Sequence, residues 1–304
     1  MTTKVQDGEF GRQSAPPGPP FRHVLSRPSF YRLGFAVAKR VPARILYRIA
    51  DFVGEASYFR YQERGANVRG NLEKVFPERS SAEIAALARG TFRNFARYLV
   101  DYGRFHSAPS GELDGAIQEL EGGEHQEEAL RSGKGVILVT GHVGNWELGG
   151  NYFARMGIRV NVVTLPDNAP RIHAIREAYR GRYDIRTIVV DGTPFATLEM
   201  LSALRIGEMV AMLVDRWGSA DGVKADFFGR PHSFPRGPFA LSRATGAMIL
   251  PAFIVRDGET YKGIAERPFV ADGPDDEPYA RRLVEALERI IRRFPDQWYN
   301  FQPI

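Results

Sequence analysis

Between residues 135 and 255 the sequence alternates between two patterns, and that alternation restricts the fold more than any other feature. Short apolar, β-branched runs occur at 135–140, 160–165, 187–190, 209–214 and 248–255. Helical stretches fall between them, at 145–156, 170–183, 194–206 and 238–245. A run that is apolar at consecutive positions has no polar face for water, so it belongs in a sheet covered on both sides. Helices in alternation with such strands supply the cover. The expected fold is therefore α/β, a central mixed sheet flanked by helices. An amphipathic helix at 277–294 follows, then Pro295-Asp296-Gln297-Trp298-Tyr299. There is no internal repeat, and 304 residues suffice for one large core.

Upstream of the sheet the composition changes. Residues 1–28, rich in Gly, Pro, Ser and Gln, read as a disordered tail, and residues 29–304 as a single domain. Residues 31–61 look helical, with Leu33, Val37, Ile45, Leu46, Ile49, Phe52 and Val53 as apolar positions and Pro42 as a break. No acid occurs between Glu9 and Asp51, whereas eight arginines and lysines do, from Arg12 to Arg48. Arginines interleaved with apolar residues predict N-terminal amphipathic helices, over 29–62, that lie on a membrane surface. A helical pair packed on the protein's own core, with its arginines merely solvated, is the plainer alternative. No apolar run approaches the length of a bilayer span, and the polar start MTTKVQDGEF lacks a signal-peptide core. A further helix is expected from Ser80 or Ser81, with Glu83 in its first turn.

The chain contains no cysteine, which excludes disulfides, zinc–thiolate sites and a thiol nucleophile. Its net charge of +5 and pI near 9.4 favour anionic partners. Chemistry concentrates in Gly141-His142-Val143-Gly144-Asn145-Trp146-Glu147. His142 follows the first buried run and precedes a helix start, where α/β folds place reactive groups. On a regular helix five residues turn through about 500°, which sets the His142 and Glu147 side chains about 140° apart. They meet only if His142 lies in the turn and Glu147 reaches back to it. A carboxylate there would hold one imidazole nitrogen and leave the other as a base. A solvated loop histidine beside an exposed helix glutamate is the competing reading.

The segment GHVGNWELGG resembles the His-x4-Asp/Glu block of the lysophospholipid acyltransferase superfamily, in the branch that acylates lipid A precursors and its phosphatidylinositol mannoside relatives. Other pieces resemble that branch in order: Asn71-Leu72 with Phe76-Pro77-Glu78; Asp167-Asn168 with Arg176 and Arg180; and Asp215-Arg216 with Asp226-Phe227-Phe228-Gly229 and Pro235-x-Gly237-Pro238. Pro295-Asp296-Gln297-Trp298 completes the series. Glu147 stands where glycerol-phosphate acyltransferases carry Asp, and no Phe-Pro-Glu-Gly-Thr-Arg follows, which favours the glycolipid branch. The start of the chain is more basic and less apolar than an anchor helix, so peripheral attachment is expected.

The resemblance implies acyl transfer from an acyl carrier protein or coenzyme A thioester to a hydroxyl of a membrane glycolipid, on the cytoplasmic face of a bacterial inner membrane. Direct attack needs a base but no metal, cofactor or covalent enzyme intermediate. His142 is the expected base and Glu147 its orienting group. Asn145, or the amides of residues 143–145, would face the oxyanion. Arg180 and Arg216 would contact phosphates. Asp215 is either a strand-end cap or a partner of Arg216, and Trp298 packs either the sheet or an acyl groove. Trp146, His173 and His232 read as structural. Among rivals, the α/β-hydrolase, dinucleotide, P-loop and zincin motifs are absent. A metal site from His142, Asp215 and His232 lacks ligand spacing. A basic membrane- or nucleic-acid-binding module leaves the His142 segment unexplained, so no nucleic acid partner is expected.

Overall fold

A computed structural model describes residues 40–107, 115–166, 170–216 and 222–304. The expected tail, the first part of the membrane-surface helices and Asp167-Asn168 lie outside these residues. Three helices come first: α1 (Ala43–Arg60), α2 (Gln62–Val75) and α3 (Ser81–Ser107). The alternating region then runs β1 (Ile117–Glu121), α4 (Gly123–Arg131), β2 (Val136–Thr140), α5 (Trp146–Arg155), β3 (Val160–Thr164), α6 (Pro170–Gly181), β4 (Arg186–Val189), α7 (Pro194–Arg205) and β5 (Met209–Leu213). A hairpin, β6 (Val223–Phe227) and β7 (Arg230–Phe234), leads to α8 (Gly237–Thr245), β8 (Met248–Asp257), β9 (Thr260–Ala265) and α9 (Glu277–Arg293).

The seven-stranded sheet has the order β1-β9-β8-β2-β5-β3-β4. β2 is buried at every position and pairs in parallel with β5 on one side and β8 on the other. One pair, β8–β9, is antiparallel, because the turn at Gly258 is too short for the crossover that a parallel pair needs. The sheet is therefore mixed, as expected. Ile137, Val139, Val210, Met212 and Ile249 fill one face together with α9 residues such as Leu283 and Leu287. Val136, Leu138, Met209, Ala211 and Leu250 fill the other, against Ala129 of α4 and Phe153 of α5. Period-2 side-chain alternation on a strand buried on both sides thus feeds two cores.

The N-terminal helices pack mainly on one another. At the start of α3, Ser80 and Glu83 exchange hydrogen bonds, the Ser80 amide donating to Glu83 Oε2 (2.9 Å) and the Glu83 amide to Ser80 Oγ (3.4 Å). This capping box satisfies two donors that a helix start leaves open. α1 lies on α3 so closely that a Cβ on Gly54 would come within 2.7 Å of the Arg93 Cα. Its other face leaves Ile45, Ile49, Phe52, Val53 and Phe59 exposed. Among the described residues, no helix is long and apolar enough to cross a membrane. The strands β2, β3, β4, β5 and β8 run the same way and so carry their carboxyl ends to one edge of the sheet. There the connecting loops hold the polar chemistry.

Candidate active site

Strand register builds the central contact. Thr140 pairs with Leu213 across the parallel β2–β5 ladder, and the Val214 amide continues it to the Thr140 carbonyl (2.9 Å). Two residues beyond each partner come His142 and Asp215. His142 Nδ1 lies 2.7 Å from Asp215 Oδ1. Gly141 permits this approach, since a Cβ there would sit 3.3 Å from Asp215 Cγ and 3.2 Å from Leu287. An ionised carboxylate only accepts, so Nδ1 carries the proton and Nε2 keeps its lone pair. Asp215 is fully buried, whereas the His142 side chain retains 22% of its exposure.

The second Asp215 oxygen is also occupied. Trp298, itself buried, donates from its indole Nε1 to Asp215 Oδ2 at 3.1 Å. Burial opposes ionisation of Asp215, but the His142 charge and hydrogen bond, with Arg216 alongside, outweigh it and hold the carboxyl well below its usual range. Burial likewise pushes the His142 imidazole below its ordinary value, against the pull of Asp215 and with help from the Arg216 charge. A lowered value keeps His142 neutral, and competent as a base, at mildly acidic pH. The acid limb of kcat/KM against pH is therefore expected below the free-imidazole value of about 6.5, in a rate profile taken on the native protein.

The loop that carries His142 is clamped by main-chain bonds. The Tyr299 amide donates to the His142 carbonyl (2.8 Å), the Gly144 amide to the Gln297 carbonyl (2.9 Å) and the Asn145 amide to the Ile254 carbonyl (2.7 Å). Gly144 adopts a φ of 60°, and a Cβ there would come within 2.0 Å of the Ile254 carbonyl oxygen. Strain and backbone clash together predict that Gly144→Ala costs about 4 kcal/mol or more, read as a fall in the urea midpoint.

Glu147, the expected orienting group, is bonded to Arg180 rather than to His142. It stands in the first turn of α5, on the helix face turned into the protein, where Arg180 of α6 meets it with Nη2 at 2.7 Å from Oε1 and Nε at 3.3 Å from Oε2. The helical rotation that separates positions 142 and 147 is not overcome by the glycine turn, because adjacent β5 offers a nearer carboxylate. Arg180 is itself 5% exposed and also donates to Thr187 Oγ1 at 3.1 Å, so the phosphate contact expected of it is replaced by an internal ion pair. Burial opposes its charge, but Glu147 more than restores it.

Asn145 is likewise committed. Its Oδ1 caps α5 by accepting from the Leu148 amide (3.1 Å), and its Nδ2 donates to Tyr261 Oη (3.3 Å). Of the oxyanion donors expected at residues 143–145, the amides of 144 and 145 are engaged in the clamp and the Asn145 side chain in the cap. Arg216 lies beside Asp215, exposed on one side, with Nη2 donating to the Tyr299 carbonyl. Trp146 stacks on Tyr98 with centroids 4.7 Å apart and meets the His142 ring edge-on at 5.2 Å. Two of the remaining sequence blocks serve as scaffolding. Asn71 ties α2 to the chain end through Asn300, Gln302 and Ile304. Phe228-Gly229 is a two-residue hairpin turn with both φ angles positive, and it holds the Phe227 and Phe228 rings against Trp298. The side chain of His173 lies outside the described residues.

Between α5 and the sheet a narrow cleft is lined by Leu138, Thr140, Trp146, Glu147, Val162 and Ala211, and of these Trp146 is the residue that meets the His142 ring. An α/β sheet with a histidine–carboxylate dyad at its carboxyl edge and a largely apolar cleft that shares Trp146 with the dyad's surroundings has the parts of a group-transfer enzyme for an apolar substrate. Residues 21–304 match the bacterial lipid A biosynthesis acyltransferase family, and the chain belongs to it. The protein is an acyltransferase. Among its relatives is a phosphatidylinositol mannoside acyltransferase of Mycobacterium tuberculosis, 24% identical over 90% of this chain and 86% of the relative. The lipid A biosynthesis lauroyltransferase of Escherichia coli is 26% identical over 92% of this chain and 93% of its own length. The lipid A biosynthesis palmitoleoyltransferase of the same organism is 26% identical over 85% and 84%.

Proposed function

We propose that the protein moves a fatty acyl group from a thioester of acyl carrier protein or coenzyme A to a hydroxyl of a membrane glycolipid, with a lipid A precursor or a phosphatidylinositol mannoside as the acceptor class. The observation that carries this reading is the His142–Asp215 pair, in which Nδ1 faces the carboxylate and Nε2 is left for a substrate hydroxyl. In this reading Nε2 takes the acceptor hydroxyl's proton as the oxygen attacks the thioester carbonyl carbon. The tetrahedral oxyanion collapses, the carbon–sulfur bond breaks, and the imidazolium returns the proton to the departing thiolate. Asp215 takes the orienting role first expected of Glu147. The first-turn amides of Trp146 and Glu147, which a helix start leaves without intrahelical partners, are the oxyanion donors in this scheme. Arg216, at the mouth, meets a phosphate of the donor or acceptor. Radiolabelled thioester supplied with total membrane lipid extract tests the scheme: the native chain should label a glycolipid, and His142→Ala should not. Equal labelling by His142→Ala would discard the assigned base.

The exposed face of α1 fits the cytoplasmic surface of an inner membrane, where thioester donors are made. Ile45, Ile49, Phe52 and Val53 lie on one side, with Arg44, Arg48 and Arg60 on the same helix. Burying one such side chain contributes roughly 1.5–3 kcal/mol, so Ile49→Ser with Phe52→Ser should weaken partition to anionic vesicles at least about tenfold. Unchanged co-sedimentation of the double variant would remove α1 from the contact.

A further inference from the structure

The dyad has a third member in contact with it, which the acyl-transfer scheme above does not use. We propose that Trp298 is a positioning residue for proton transfer: its indole N–H pins Asp215 so that the opposite oxygen faces His142. The proposal rests on the reading of His142 as the base.

A carboxylate on a short side chain can rotate about χ2, and it directs a histidine only when that rotation is stopped. Here each oxygen has its own donor, Nε1 of Trp298 on Oδ2 at 3.1 Å and Nδ1 of His142 on Oδ1 at 2.7 Å. Trp298 is in turn immobilised from three sides. Phe227 meets its ring edge-on at 5.9 Å and Phe228 tilts against it at 6.0 Å. Its main chain forms a β-bridge with Val143, the residue after His142. Its neighbour Gln297 bonds both backbone groups of Arg256, accepting from the amide at 2.8 Å and donating to the carbonyl at 2.9 Å. One short segment therefore holds the His142 backbone and, through Trp298, the Asp215 carboxylate. A tryptophan that only filled space would not need its one polar atom on the dyad, since phenylalanine packs as well and carries no donor.

The indole also tempers the carboxylate. An N–H on Oδ2 draws charge from the oxygen that faces His142, so its loss leaves Asp215 a stronger partner for the imidazolium. Other charged or titratable groups around the pair are Arg216 beside Asp215, Arg176 on α6, Arg64 on α2, and Lys74 with His232 near the hairpin. None of them is altered by a change at position 298.

The test compares native protein, Trp298→Phe, Asp215→Asn and the double variant, with thioester donor and lipid-extract acceptor across a pH series. Trp298→Phe should lower kcat about 10-fold at nearly constant donor KM and move the acid limb about 0.5–1 pH unit upward. In the Asp215→Asn background the same change should cost less than about twofold, because the group it acts through is gone. An unmoved acid limb, with equal costs in both backgrounds, would reduce Trp298 to packing. Should Trp298→Phe fold poorly, benzothienylalanine at position 298 keeps the ring shape and removes only the N–H. NMR titration of the His142 ring in native and variant protein reads the same shift without turnover. If the native chain transfers no acyl group, the acyl-transfer reading falls, while that titration still decides the role of Trp298.

Discussion

Asp215→Asn is expected to lower kcat/KM for acyl transfer by about 10³–10⁴, close to the effect of removing His142 itself. An amide at position 215 is nearly isosteric with the carboxylate, so the fold should be kept. Its NH₂ can face His142 Nδ1, which must then accept. The imidazole proton moves to Nε2, and the nitrogen that has to take the hydroxyl proton is blocked. Charge matters as well, because the imidazolium formed in the transition state loses the ion that stabilises it at 2.7 Å. The rate is read in the same thioester assay, with a circular dichroism melt to show that the variant is folded. Should Asp215→Asn keep more than a tenth of native activity, the dyad is not the proton-transfer unit. If Glu147→Gln then lost what Asp215→Asn kept, Glu147 would regain the role first expected of it.

The second large effect concerns stability. Glu147→Ala leaves the Arg180 guanidinium, only 5% exposed, without its carboxylate. An uncompensated buried charge costs about 3–5 kcal/mol. In a chain of this length that corresponds to a fall in Tm of roughly 5–8 °C. Removing both charges should do less harm than removing one: Glu147→Leu with Arg180→Met is expected to recover most of the lost stability, since well-packed apolar residues often replace buried ion pairs without net cost. Differential scanning calorimetry of the three proteins decides the matter. If Glu147→Ala melts like the native protein, the pair contributes nothing measurable and its burial needs another explanation. Activity gives an independent reading, because a folded Glu147→Gln that loses turnover as His142→Ala does would put Glu147 in the chemistry rather than behind it.

The outline of the fold was legible because it depends on local pattern. The five apolar runs became β2, β3, β4, β5 and β8, and each helix expected between them formed within a residue or two of its expected ends. Strands with weaker signals escaped. β1 reads Ile-Gln-Glu-Leu-Glu and is mostly exposed, and β9 contains polar and glycine positions, so neither shows the continuous apolar run of a buried strand. The hairpin Val223–Phe234 was seen only as a Phe-Phe-Gly block, although its two-residue turn is a recognisable local signal. The site divided along the same line. His142 sits on a local signal, a glycine turn after a buried strand. Its partner lies 73 positions away, and no local spacing points to it.

Local pattern was therefore enough to mark which segments are strands, where the histidine of the dyad stands, and that its neighbourhood resembles acyltransferases. Strand order was decided only in the tertiary structure. Because β2 and β5 lie side by side in a register that pairs Thr140 with Leu213, their two carboxyl ends bring His142 and Asp215 together. Glu147, closer in sequence, is turned by the helix into the core, where Arg180 is its partner. Sequence distance sets which groups can be presented on one element. Which of them touch is set by the hydrogen-bond register between elements, and that is fixed only when the sheet assembles.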